Sequence, residues 1–193
     1  MSITEKTSDI YLLPVSFPDK KRLSNLSRVL AETFGLPVAL SNRSFSLEKG
    51  KDTLRNQYNS TWILSQILKR FPESSCKVLG VTRVDLYVPV LTYVFGEAQL
   101  DGKAAVVSVH RLQNELYGLP KNPQKLSERL EKEAIHELGH TFGLLHCHNP
   151  QCVMYTSTYA EEIDFKLMNF CKDCFSFLKE RKGMSHVHVT TSA

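Results

Sequence analysis

The N-terminal part of the chain alternates between strand-like and helix-like spacing of its apolar positions. A short apolar run at Ile10–Val15 predicts a first strand, and Val38–Leu40 predicts a second. Between them, apolar residues three or four positions apart predict an amphipathic helix that begins behind Asp19 and stops at Gly35. These elements would form a β-α-β unit, which we expect to cross over right-handed, as nearly all such units do.

The middle of the chain continues with one more helix and several strands. Helically spaced apolar residues from Tyr58 to Phe71 predict a second helix, which Pro72 closes. Runs rich in Val, Leu and Tyr predict strands at Lys77–Thr82, Val84–Val88, Leu91–Phe95 and Ala104–Val109. The polar, irregular stretch at 40–56 predicts a loop.

A third helix begins with a capping pattern and carries one apolar stripe. Asn122 suits the N-cap and Pro123 the first helical position. The stripe repeats at intervals of four residues: Leu126, Leu130, Ala134, Leu138 and Phe142. We expect the helix to end before Gly143, because glycine readily adopts the positive φ that turns the chain out of a helix.

Composition and charge narrow the class of protein. The 193 residues, 42% hydrophobic and 23% charged, are ordinary for one soluble globular domain. The net charge of +4 is mild, and the longest basic run is Lys20–Arg22, which does not favour nucleic-acid binding. The start of the chain lacks the apolar core of a signal peptide, and no apolar run reaches the roughly 20 residues of a membrane helix. We therefore expect a cytoplasmic monomer without membrane or nucleic-acid partners.

The third helix carries residues suited to metal chemistry. His136 and His140 are four positions apart, so both imidazoles project from one helix face and can reach one zinc ion. After the turn at Gly143, His146 can return as a third ligand, which leaves the fourth position for water. Glu137 is rotated from His136 by roughly 100° about the helix axis, near the metal but outside its ligand set. Zinc lowers the pKa of its water to about 7 and Glu137 can take the proton, so the pattern predicts peptide-bond hydrolysis without a covalent intermediate.

Four of the five cysteines lie in the C-terminal quarter and form a second candidate metal site. Cys147, Cys152, Cys171 and Cys174 have the C-x4-C and C-x2-C spacings of a closed tetrahedral zinc site. We expect the Cys171–Cys174 pair on a helix, with the thiolates clamping the loop after His146 onto it. Cys76 fits a buried, small apolar residue. The predicted cofactors are thus two zinc ions, one catalytic and one structural.

Other interpretations of these residues stay open. The histidines could be hydrogen-bonded members of a core helix, and the cysteines could form a nucleic-acid-reading zinc ribbon or a redox pair. The chain could also be a zinc-dependent protein that captures peptides and turns over poorly. That alternative predicts a protein ligand at the fourth metal position, for which the tail residues His186 and His188 are candidates.

Taken together, these motifs resemble a known family. H-E-x-x-H-x-x-G-x-x-H followed by a methionine resembles the metzincin clan of zinc peptidases. The C-x4-C-x-M and later C-x2-C patterns, with the segments Phe95–Leu100 and Ala104–Val107, resemble its archaemetzincin (archaelysin-like) branch. The resemblance implies that a catalytic zinc is bound by three residues: His136, His140 and His146. It also implies that Glu137 is the general base and that Met154 forms the Met-turn, an apolar floor beneath the metal.

The resemblance also implies an architecture and a way of binding a peptide or protein substrate. The expected fold is α+β and zincin-like, a twisted mixed sheet flanked by helices, with an edge strand that pairs with the substrate backbone. Ala104–His110 is our candidate for that strand. Some metzincins use a tyrosine two residues beyond the methionine; here that position is Thr156, with Tyr155 and Tyr159 nearby. We expect one domain over 1–193: sheet and active-site helix in 1–146, a zinc-clamped part in 147–183 and a flexible tail in 184–193.

Overall fold

The computed structural model describes residues 9–72 and 76–182. Its strands are β1 (Ile10–Val15), β2 (Val38–Leu40), β3 (Lys51–Asp52), β4 (Gln57–Asn59), β5 (Lys77–Thr82), β6 (Leu86–Tyr87), β7 (Gly96–Ala98) and β8 (Ala104–Ser108). Its α-helices are α1 (Lys20–Phe34), α2 (Ser60–Arg70), α3 (Pro123–Thr141), α4 (Ala160–Phe165) and α5 (Lys172–Lys182). Short 3₁₀ turns occupy Glu48–Gly50, His110–Leu112 and Asn114–Tyr117.

The main sheet is mixed and is covered by helices on both faces. Its strands within the described residues have the order β2-β1-β5-β8-β7, and a smaller sheet has the order β3-β4-β6. All neighbours in the main sheet are parallel except β7, which runs antiparallel to β8 at one edge. Helices α1 and α3 pack together beside the sheet, while α2 packs against β7 and β8. The predicted α+β architecture is confirmed.

The hydrophobic core is divided by the sheet into two parts. Along β1, Ile10 and Leu12 belong to the cluster beneath α1 and α3, whereas Leu13 and Val15 belong to the cluster beneath α2. Side chains of a strand alternate between its faces, so a strand buried on both sides must be apolar at nearly every position. This explains the unbroken apolar run from which the strand was predicted. Cys76 is buried, as predicted, and it belongs to the cluster beneath α2.

The predicted helix boundaries hold where capping residues define them. The Asp19 side chain accepts a hydrogen bond from the Arg22 amide, and α1 ends before Gly35 at φ 62°. The Asn122 side chain accepts from the Lys125 amide, and α3 begins at Pro123. None of the helices in the described ranges is long and apolar enough to cross a membrane.

Several predictions of strands, helices and loops are wrong, and each error lies where a strand pairs with a strand distant in the sequence. Leu91–Phe95 is not a strand: Val94 alone makes an isolated bridge with Leu86, and the strand that pairs with β8 is β7. Tyr58 belongs to β4 rather than to α2. The predicted loop at 40–56 contains a 3₁₀ turn and β3. In each case local composition could not identify the partner strand.

The strand that we expected at the sheet edge is an interior strand. Ala104–Ser108 pairs with β5 on one side and with β7 on the other, and all of its residues are buried. Five small or apolar residues in succession are typical of a strand covered on both faces, a signal against our candidate. The strand at this edge of the sheet is therefore β7, and β2 forms the opposite edge.

Candidate active site and metal centres

Helix α3 and the turn after it bring the three predicted histidines together. Nδ1 of His136 lies 2.9 Å from the Val153 carbonyl oxygen, and Nδ1 of His140 lies 2.7 Å from that of Leu144. A carbonyl can only accept, so each Nδ1 carries the hydrogen and each Nε2 keeps its lone pair. The two Nε2 atoms are 3.0 Å apart. Two nitrogen lone pairs at this distance repel each other unless a cation or a proton lies between them. The arrangement of the donor atoms therefore fits a metal ion.

The turn that returns His146 to this site is a Schellman motif. Gly143 has φ 92°, its amide donates to the His140 carbonyl, and the Leu144 amide donates to the Gly139 carbonyl. The His146 ring centroid then lies 5.3 Å from that of His136 and 4.9 Å from that of His140. One ligand nitrogen from each of the three rings lies within 4.8 Å of the others.

Electrostatics at the imidazoles favours the metal-binding form. Burial lowers the pKa of His136 well below its usual value and also lowers the pKa of His140 and His146. The Lys166 ammonium acts in the same direction on all three. Neutral imidazole is the form that ligates a metal.

Glu137 is buried against the edge strand. A Cβ on Gly96 of β7 would lie 2.6 Å from Oε1 of Glu137 and 2.6 Å from the Val106 carbonyl oxygen, so only glycine fits there. Burial raises the pKa of Glu137 well above its ordinary value, and the carboxylates of Glu133 and Glu97 add to the effect. A carboxylate with increased proton affinity is suited to accept and return a proton near neutral pH.

Met154 lies beneath the helix between the two helical histidines. It is fully buried, and a Cβ on Gly139 would come within 2.5 Å of the Met154 Sδ. The sulfur therefore lies directly against the backbone of α3 at a position where no side chain fits. Met154 therefore packs against the part of α3 that carries His136 and His140.

A buried ion pair next to the site was not found from the sequence. The Lys166 side chain is 0% exposed, and its Nζ lies 2.9 Å from Oε1 of Glu133. The same Nζ donates to the Tyr155 carbonyl oxygen at 3.1 Å, so it links α3 to the loop after Met154. In the sequence, the feature that could have indicated this pair is Glu133, an acidic residue one helical turn before Glu137 and on the same face of α3.

We expect Lys166→Met to lower the free energy of unfolding by roughly 3–5 kcal/mol, because the Glu133 carboxylate would remain buried without its partner. Urea unfolding of the zinc-loaded protein measures this, with the exposed Lys121→Met as control. The double variant Glu133→Leu, Lys166→Met should recover much of the loss. A single-variant loss no larger than that of the control would refute the ion pair's structural role.

The four predicted cysteines converge at the start of α5. One sulfur from each lies within 4.8 Å of the others: Cys147, Cys152, Cys171 and Cys174. The Cys147 and Cys171 sulfurs are 3.7 Å apart, much longer than the roughly 2.05 Å of a disulfide. The Cys171 amide donates to the Cys152 sulfur at 3.2 Å. These distances fit sulfurs gathered around a single tetrahedral ion.

The helix around these cysteines is shorter than predicted. Cys171 precedes α5 and its carbonyl accepts from the Phe175 amide, so of the pair Cys174 alone lies within the helix. Burial raises the pKa of Cys152 to about 11, so its thiol is protonated at pH 7 in the absence of a cation. Metal ligation requires thiolates; binding at this cluster therefore releases protons and weakens as pH falls.

An open cleft of about 700 Å³ runs between β7 and the imidazoles. Its lining includes residues 91–98 on one side, and Thr156, Ser157, Thr158 and Tyr159 on the other. The Tyr93 hydroxyl donates to the Thr158 carbonyl oxygen at 2.7 Å and joins the two sides. Tyr155 is not part of the lining, and His186 and His188 lie outside the described residues.

The backbone of β7 is oriented for pairing within this cleft. The Ser108 amide donates to the Phe95 carbonyl, and the Gln99 amide donates to the Ala104 carbonyl. In an antiparallel pair the hydrogen-bonded positions alternate, so Gly96 and Ala98 direct their N–H and C=O groups away from β8. Both residues line the cleft.

Comparisons with known proteins match most of the chain to one family of peptidases. A sequence model of Peptidase family M54 matches residues 24–180. Archaemetzincin from Methanocaldococcus jannaschii is 41% identical over 172 residues, which are 89% of this chain and 93% of that protein. The crystal structure of a zinc-dependent peptidase from Methanocorpusculum labreanum has a TM-score of 0.79 at 35% identity, covering 88% of this chain and 99% of that one. The crystal structure of archaemetzincin from Methanopyrus kandleri has a TM-score of 0.77 at 34% identity, covering 93% and 98%.

Proposed function

Since this chain belongs to peptidase family M54 and is a zinc metallopeptidase of the archaemetzincin type, we propose that Glu137 is its general base. We further propose that three residues hold the catalytic zinc: His136, His140 and His146. The observation that carries this proposal is the convergence of three imidazole nitrogens beside one buried carboxylate.

The proposed mechanism assigns a task to each side chain. Zinc, when bound, supplies a Lewis acid that polarises a carbonyl and lowers the pKa of water to about 7. Glu137 accepts a proton from the attacking water and returns it to the nitrogen of the departing amine. The Val153 and Leu144 carbonyls hold two imidazoles in the ligating tautomer. Met154 supports the helix backbone beneath them.

The substrate backbone is proposed to bind along β7. Gly96 and Ala98 line the cleft and direct their N–H and C=O groups away from β8, so an extended peptide can add there as a further strand. Because Glu137 packs against Gly96, a peptide on this edge would lie next to the carboxylate. Strand addition therefore brings the scissile bond close to the general base.

A second zinc ion is proposed at the four cysteines, with a structural role. Four sulfur ligands complete a tetrahedral site and leave no open position. Cys147 follows His146 directly, and its amide donates to the Met154 carbonyl oxygen at 2.9 Å. An ion at this cluster would thus hold both His146 and the loop that carries Met154 against α5.

The test is a cleavage screen of a peptide library by mass spectrometry on protein of measured zinc content. The variant Glu137→Gln, purified in parallel, controls for contaminating peptidases. We expect cleavage by the wild type at defined peptide bonds. Peptide binding without cleavage by the zinc-loaded wild type would refute the proposal and favour the alternative of a peptide-capturing protein.

A further inference from the structure

The side chains that line the cleft include carboxylates and no lysine or arginine among the described residues, although the chain as a whole is basic. The chain has 24 Lys and Arg against 20 Asp and Glu. Among the described residues that line the cleft there are three carboxylates, Glu97, Glu133 and Glu137, and no lysine or arginine. A carboxylate that has no neighbouring cation attracts cationic groups and disfavours acidic ones, so the selectivity of the cleft depends on which of the three is unpaired.

Two of these three carboxylates already have a partner or a role within the protein. Glu133 is paired with the buried Lys166. Glu137 is packed against Gly96 and is assigned to proton transfer. Glu97 is half-buried, and no Lys, Arg or His in the described part of the chain lies within ion-pair distance of it.

Hydroxyl groups nonetheless hold the Glu97 carboxylate in one place. The Ser60 hydroxyl donates to its Oε2, and the Thr61 hydroxyl lies 2.9 Å from its Oε1. Both residues begin α2, whose N-terminal end also favours a negative charge. These contacts orient the carboxylate, and neither hydroxyl supplies a positive charge.

The strand geometry determines which part of a substrate meets Glu97. Side chains alternate along β7: Gly96 faces α3 and Glu137, so Glu97 faces α2. The Glu97 amide and carbonyl point towards β8, which makes Glu97 a non-hydrogen-bonded position on the open edge. In an antiparallel pair the side chains at such a position are the closest, at about 4.5 Å between Cα atoms, and lie on the same face.

We propose that Glu97 is a specificity-determining residue that selects a lysine or arginine side chain at the substrate position opposite it on β7. This inference rests on the proposed peptidase function. The charge-assisted contact would give Glu97 the cationic partner that residues 9–72 and 76–182 do not supply. Such a cross-strand pair of opposite charges stabilises the added strand.

The experiment compares capped peptides that differ at one position. A neutral peptide cleaved in the library screen is N-acetylated and C-amidated, and lysine or norleucine is placed at each position in turn. In the wild type, lysine at one position should raise kcat/KM about tenfold over norleucine. Glu97→Gln should remove this preference, measured as the ratio of kcat/KM for the lysine and norleucine peptides within the same variant, whereas Glu97→Asp should keep part of it. The control Glu180→Gln, which removes an exposed carboxylate outside the cleft lining, should keep all of it.

Two results would overturn the inference: no position at which lysine is favoured, or a preference that survives in Glu97→Gln. Melting temperature and zinc content of each variant show that the comparison is made on folded protein. If no peptide is cleaved, the proposed function fails, and binding to Glu137→Gln decides the role of Glu97 separately. Fluorescence anisotropy should then show tighter binding of the lysine peptide, and equal affinities would refute the selection.

Discussion

Glu137→Gln should lower kcat/KM for peptide hydrolysis by at least about 100-fold, the usual scale for loss of a general base. The amide has nearly the same shape as the carboxylate, so the close packing against Gly96 can be kept. Burial and the neighbouring carboxylates oppose the charged form of Glu137, as its raised pKa shows. A neutral side chain should therefore not destabilise the fold, and the three histidines should still hold zinc.

The matched control is Glu131→Gln on the same helix. Glu131 is also buried, and burial likewise raises its pKa, but it lies outside the cleft lining and accepts a hydrogen bond from Asn25. Its replacement should leave kcat/KM unchanged. Zinc analysis and thermal melting accompany both variants. Equal turnover by zinc-loaded Glu137→Gln and wild type would remove Glu137 from the mechanism.

The parts of this site that could be predicted are those encoded locally. The cap at Asn122, the four-residue spacing of the histidines and the turn at Gly143 each depend on a few neighbouring residues. Helix geometry converts that spacing into a shared face, so the convergence of His136 and His140 follows from the chain alone. The Schellman turn at Gly143 follows in the same way from one glycine.

The parts that escaped prediction depend on partners distant in sequence. The choice of β7 over Leu91–Phe95 depends on pairing with β8, which strand propensity does not encode. Lys166 is a lysine in a polar stretch, and its burial follows only once Glu133 and the Tyr155 carbonyl lie beside it. Likewise, the break between α4 and α5 places Ile163 and Cys174 on separate helices although their spacing is helical.

The role of Gly96 shows how an interior pairing and the chemistry are connected. As a sequence position, it is one glycine after an apolar run. In the fold it is the point where the edge strand, the Val106 carbonyl and the Glu137 carboxylate meet, with no room for a Cβ. Main-chain groups of the edge strand can therefore approach the general base closely. A substrate strand added to β7, as proposed, would benefit from the same absence of a side chain.

Cys171→Ser should release one equivalent of zinc per chain and lower the free energy of unfolding by more than about 5 kcal/mol, since structural zinc contributes roughly 10–16 kcal/mol in small zinc domains. For a chain of this size, that loss corresponds to a fall in Tm of roughly 10–20 °C. The serine hydroxyl is a poor ligand beside three thiols. Two of these, Cys152 and Cys174, have their pKa raised by burial and would revert to the protonated form.

The loss of stability should extend from the cysteine cluster to the active site. Cys147 is adjacent to His146 and pairs with the loop that carries Met154. Hydrogen exchange should therefore increase across 147–182, and kcat/KM should fall together with the remaining zinc affinity. Cys76→Ala is the control: it removes a buried cysteine of the other core cluster and should leave the zinc content unchanged. Unaltered melting, exchange and metal content in Cys171→Ser would mean that the cysteine cluster holds no ion and that other contacts fix the loop after His146.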